Sequence, residues 1–240
     1  MGRMRVLAAG LIALIALGIC TSASASSKEY TTQFNIQDCT FSTQGANRYF
    51  ILEPAFQLVL MGPEDGAQVE LKITVLADTQ SVTLPGIGEI MTRVIEEREW
   101  ADGMLSEVSR NLFAICEQTG SAFYFGEEVD IYEGGQVVSH DGAWQAGVNG
   151  AEPGIVMPGE FLVGSRYFQE MAPGVAMDRA ENIKMGLTVD VPAGHYTDAV
   201  KVRETSPLEP SSKGTKIYAP GIGLVVDGKI QLIEVINPTR

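Results

Sequence analysis

From about residue 48 onward the chain alternates apolar and polar positions with a period of two. Val69, Leu71, Ile73 and Val75 are interleaved with Glu70, Lys72 and Thr74, the pattern of a half-buried strand. Over Thr92–Trp100, Val94 and Trp100 share one face while Glu97 and Glu99 take the other. Met104–Cys116, Ser121–Tyr132, Ala199–Thr205 and Ile230–Val235 continue the theme. No helical period lasts three turns beyond the first 25 residues. Between the strands stand "GPEDG" (62–66), "LPGIG" (84–88), "ADG" (101–103), "QTG" (118–120), "EGG" (133–135), "PAG" (192–194) and "VDG" (226–228). Asp-Gly and Gly-Gly supply the positive φ that tight hairpins require. Strand, short turn, strand predicts an antiparallel meander. Such a sheet buries one face by curling or by pairing with a second sheet. The expected fold is all-β: one large curved antiparallel sheet, a barrel or half-barrel meander.

One stretch breaks the alternation. "SHDGAWQAGVNGAEPGIVMPGE" (139–160) has five glycines, two prolines and no lysine or arginine. A loop of this length inside a compact domain is usually functional or disordered. It carries Trp144, one of two tryptophans in the chain, and loops seldom place Trp without burying it. Gly142, Gly147 and Gly150 permit close backbone approach, and Asn149 adds an amide donor and acceptor. On one reading the loop covers the mouth of the sheet, with Trp144, Gly147 and Asn149 touching a ligand. On the other it is an ordered plug whose Trp144 seals the core. Both predict a buried Trp144 and an ordered loop, with Ile155, Val156 and Met157 buried as well.

The ends set the compartment. Arg3 and Arg5 precede an uncharged run from Val6 to Cys20, and Ala23-Ser24-Ala25 follows, the layout of an export signal cleaved after Ala25. Fifteen uncharged residues fall short of the roughly 20 that span a bilayer. An uncleaved anchor and a lipid on Cys20 are weaker readings of the same residues. The expected organisation is therefore a signal peptide (1–25), a Ser/Thr/Gln/Asn-rich, loosely docked lead-in (26–47) and a single β domain (48–240). Removing Arg3 and Arg5 leaves 15 basic residues of 17 against 30 acidic ones, moving the net charge from −13 to −15. That field disfavours nucleic acid and anionic membrane, so contact with a membrane is expected only through the export signal. Cys39 and Cys116 then remain as an even pair. In an exported protein they predict a disulfide, with two buried free thiols as the alternative.

Several stretches together resemble a family of exported bacterial β proteins: "YFILEP" (49–54), "FYFGEEVDIYEGGQVVS" (123–139), "GAWQAGVNGAEPGIVMPG" (142–159), "QEMAPGVAMD" (169–178), "TVDVPAGHYTDAVKVRETSPLEP" (188–210) and "YAPGIGLV" (218–225). They follow in order across most of the chain. The resemblance implies architecture and export, with no established activity attached. Met177 departs from it where a glutamate would precede Asp178. A looser similarity, through the "PAG"-aromatic hairpin and "YAPGIGLV", is to periplasmic lipoprotein-carrier-like half-barrels. Gln169, opening "QEMAPGVAMD", joins Trp144, Gly147 and Asn149 as an expected ligand contact.

Reaction chemistry is thin. The only histidines are His140 and His195. No HExxH or CxxC occurs, and no nucleophile elbow or phosphate loop surrounds Ser165. No metal site and no cofactor are expected. Glu170 and Asp178 flank "MAPGVAM", which could turn and bring them together, with His140 a further candidate. The leading expectation is a non-catalytic exported protein that binds a small or lipidic ligand in a barrel-like cavity under the central loop. The alternatives are an exported hydrolase or lyase using those carboxylates, and an envelope or surface module that binds another protein.

Overall fold

The computed structural model describes residues 29–237; the expected export signal and its expected cleavage site lie outside the described residues. Strands β1 (Gln57–Glu64), β2 (Ala67–Leu84), β3 (Gly88–Ala101), β4 (Met104–Cys116) and β5 (Ala122–Glu133) form a continuous antiparallel meander. Strand β6 (Glu152–Met157) adds to the far side of β5. A second meander runs through β7 (Arg179–Val191), β8 (Gly194–Thr205), β9 (Lys213–Ala219), β10 (Gly223–Asp227) and β11 (Ile230–Ile236). The last strand lies against the first, Leu232 opposite Leu60 and Ile236 opposite Gln57. The two meanders thereby become one sheet of 16 strands, all-β and antiparallel as the alternation predicts.

The hairpins follow the turn chemistry. Asp65-Gly66, Asp102-Gly103 and Gly134-Gly135 have positive φ at both residues, the geometry whose twist matches flanking strands. "GPEDG" is shorter as a turn than its composition suggests, because Gly62 and Pro63 still belong to β1. Gly62 is there for a different reason: a Cβ at that position would sit 2.4 Å from the Lys229 carbonyl oxygen of the β10–β11 turn.

The sheet curls but does not close into a barrel. Its path ends on one side at the short strand Arg166–Phe168, paired to β7, and on the other at Glu170–Met171, paired to β6. These two end strands are consecutive in the chain, with Gln169 alone between them. At this seam the Gln169 and Glu170 amides both donate to the Asp178 carbonyl.

The lead-in is firmly docked, not loose. Cys39 and Cys116 form a disulfide with Cα atoms 5.2 Å apart, and Phe41-Ser42 pairs with the end of β4. Phe41 packs edge-on against Phe123 at 5.4 Å and Phe125 at 5.2 Å, and Phe34 against Phe123 at 6.0 Å. Edge-to-face aromatic pairs of this kind add to plain area burial. Arg93, only 7% exposed, donates to the carbonyls of Thr43 and Ala77, tying the lead-in to β2. The polar composition of 26–47 hides these anchors because they are few and widely spaced.

Residues 139–160 are ordered, yet they are not a lid. Trp144-Gln145 pairs with Glu127-Gly126, and β6 pairs with Ala122–Tyr124, so both halves of the stretch extend β5. Three of its glycines, Gly147, Gly154 and Gly159, mark close backbone approach. A Cβ on Gly154 would meet the Gln169 carbonyl at 2.4 Å, and one on Gly147 the Thr83 carbonyl at 2.2 Å. Met157 is fully buried, while Ile155 and Val156 are half-buried.

Candidate functional site

The curled sheet holds an internal cavity of about 340 Å³ lined from both meanders. Strand register explains its lining. Across β2, β3 and β4, Ile73 faces Glu97, which faces Ser109. One row along, Val75 faces Ile95, Ile95 faces Asn111, and Asn111 faces Glu127 of β5. On β4 the inward positions repeat every second residue as Glu107, Ser109, Asn111 and Phe113. The β1–β2 wall is apolar, with Leu58, Leu71, Ile73 and Val75. The second meander contributes Glu204 of β8, Lys216 and Tyr218 of β9, and Leu224 and Asp227 of β10.

The seam supplies the remaining polar groups. Gln169, Glu170 and Asp178 border the cavity. An outer depression of about 380 Å³, bordered by Gly142, Met177 and Ser206, shares Glu127, Glu170, Asp178 and Glu204 with it. These four carboxylates therefore stand between interior and exterior, and the polar end of the cavity is its mouth.

The interior charge is lopsided. Seven carboxylates line the cavity against one ammonium, Lys216. Lys216 Nζ is 2.9 Å from Glu204 and 3.6 Å from Asp227. Burial lowers its pKa, but those two carboxylates outweigh burial and leave it well above the ordinary lysine value. Glu97 is lifted to about 7 by burial first, with Asp227, Glu107 and Glu204 adding to it and Lys216 opposing. It keeps some accessible surface, but that surface lines the cavity, so loss of bulk water governs its titration. Glu127 is also lifted to about 7, by burial and then by Glu97 and Glu107, against hydrogen bonds from Ser109 and Tyr124. Burial and the neighbouring Glu127 push Glu170 well above the carboxylate range. The Tyr124 hydroxyl sits between Asn111 and Glu127, and its ring stacks on Phe113 at 4.6 Å.

The expected site residues divide. Gln169 lines the cavity, 5% exposed, and donates its amide to Glu204 at 2.9 Å. Glu170 and Asp178 come together at the mouth. Trp144 is buried at 8% exposure but does not reach the cavity; it packs edge-on to Tyr124 at 5.3 Å and backs the wall that Tyr124 presents. Its indole N–H is buried without a partner among the described residues. Gly147 lines a separate groove beside the lead-in. Asn149 is exposed at a tight turn, with φ of 52°, a conformation Asn tolerates better than most residues. His140 is exposed, with Nδ1 near the Val129 carbonyl and the Asp130 carboxylate, apart from the cavity.

Sequence reasoning missed Glu97, Glu107, Glu127, Glu204, Lys216, Tyr218 and Asp227. The usual code assigns the acidic face of an alternating strand to solvent. Here the lead-in covers Phe123 and Phe125 on one face of β5, and Tyr124 between them turns toward the cavity. The available signal was apolar residues on both faces of β5, which leaves no wet side.

Among the described residues no three His, Cys, Asp or Glu side chains are arranged to hold a metal ion. The arrangement can accept hydrogen bonds and positive charge at one end and apolar surface at the other. No protein-family model, curated protein or solved structure matches this chain, so its function is argued from this geometry.

Proposed function

We propose that the chain is an exported, non-catalytic protein that binds a small or lipidic ligand inside its curved sheet. The cavity carries this reading. Its volume of about 340 Å³ falls within the roughly 300–1,000 Å³ of small-molecule sites, which pair apolar walls with a few convergent polar groups. The disulfide is consistent with an oxidising compartment. No helix among the described residues is long and apolar enough to cross a membrane. Native mass spectrometry of protein purified from its own host tests the idea. A co-purifying mass lost on denaturation is expected, and Leu71→Trp, which fills the cavity, should abolish it. An adduct retained in full by Leu71→Trp, or none in the wild type, counts against an interior site.

A second reading, an exported hydrolase or lyase, is favoured by one observation: Glu170 and Asp178 both border the cavity mouth, and raised carboxylates suit general acid catalysis. It excludes His140 from the chemistry. Turnover of any ester or glycoside that Glu170→Gln eliminates would establish it.

A further inference from the structure

Taking the cavity as the binding site, on which this inference rests, we propose that the ligand is an organic ammonium. Its protonated amine would meet the acidic mouth while its apolar body lies along the β1–β2 wall. The first observation is the fate of the single cation lining the cavity: Lys216 is already engaged by Glu204 and Asp227, leaving the side-chain carboxyls of Glu97, Glu107 and Glu170 without a hydrogen bond to any described residue. The second is independent of charge. Tyr218 is 6% exposed, lines the cavity, and its hydroxyl has no hydrogen-bond partner among the described residues.

A buried carboxylate without a partner is costly, and an ammonium, with three donors and no acceptor, complements carboxylate and phenol oxygens together. An anionic head group would meet repulsion from every carboxylate at the mouth. A neutral one could hydrogen-bond those groups but would gain no charge-assisted bond from them. A bare metal ion lacks convergent ligands among the described residues. Apolar β1–β2 residues give the rest of the molecule a dry surface.

The test compares three probes of equal chain length, octylamine, octanol and octanoate, by titration calorimetry at pH 8, where octylamine is protonated. Octylamine is expected to bind at least about tenfold more tightly than octanol, in line with a charge-assisted hydrogen bond, and octanoate more weakly than either. Glu97→Gln and Glu170→Gln preserve side-chain shape, and each should reduce octylamine affinity while leaving octanol unchanged. Octanol or octanoate binding as tightly as octylamine overturns the ammonium assignment and leaves the cavity reading standing. An amine preference that survives both substitutions overturns it too. No binding by any of the three overturns the assignment and the interior site together.

Discussion

Glu97→Gln should make this protein more stable at pH 8 and leave it unchanged at pH 4. Burial lifts the Glu97 carboxyl to about 7 in the folded protein, against an ordinary glutamate value of 4.5. Between those pH values the folded chain holds the proton that the unfolded chain has released. Stability is therefore fully present below pH 4.5, falls as pH rises through the window, and reaches its full penalty above 7. At roughly 1.4 kcal/mol per pH unit the penalty is about 3 kcal/mol. Gln cannot ionise, so the variant escapes it. For a domain of this size that corresponds to a Tm higher by roughly 6–12 °C. Glu127 titrates in the same range and is coupled to Glu97, so removing one charge also eases ionisation of the other. A shallower slope should remain in the variant. Thermal unfolding followed by circular dichroism from pH 4 to 8, with the disulfide intact, measures both profiles. Parallel curves for the two proteins would refute the argument, because they would mean that Glu97 is as well solvated folded as unfolded.

Two further predictions concern what holds the sheet. Trp144→Ala should cost about 3–5 kcal/mol as a large-to-small core change, raise proteolysis within residues 139–160 and leave the β-sheet circular dichroism nearly intact; cleavage as slow as in wild type would mean that the strand pairing to β5 holds the segment without the indole. Replacing Cys39 and Cys116 by serine opens a 77-residue loop and should lower urea stability by roughly 4 kcal/mol, whereas an intact mass that reductant does not change would show that no bridge forms.

The strands were legible because their information is local. Val69–Val75 alternates cleanly, and Asp-Gly at 65–66 and 102–103 needs no distant partner to turn. Residues 139–160 read as an ordered loop without strands because their pairing is non-local: Trp144 and Gly154 find their register only on β5, which ends before the stretch begins. Burial of Trp144 was readable from its size and rarity, whereas a ligand contact for it was not, since Tyr124 stands in front of it. Asn149 and Gly147 read as binding chemistry but serve a turn and a close approach. Glu97 was placed with Glu99 on the face opposite Val94 and Trp100, and which side of the sheet that face looks toward depends on how the whole sheet curls. No window of neighbouring residues encodes that curvature.

Gln169 acts as a buckle on the rolled sheet. The two edge strands it joins belong to opposite ends of a path that passes through every long strand. A register slip at either end would pull the other by the same length of chain, and a slip of one residue would turn a strand's inner face outward. The circumference around the cavity is thus closed by one covalent link, at the point where the hydrogen-bonded path ends. One residue inserted beside Gln169 would put one of the two short end strands out of register with its partner and turn its inner face outward. The girth of the chamber is set at a position that also lines it.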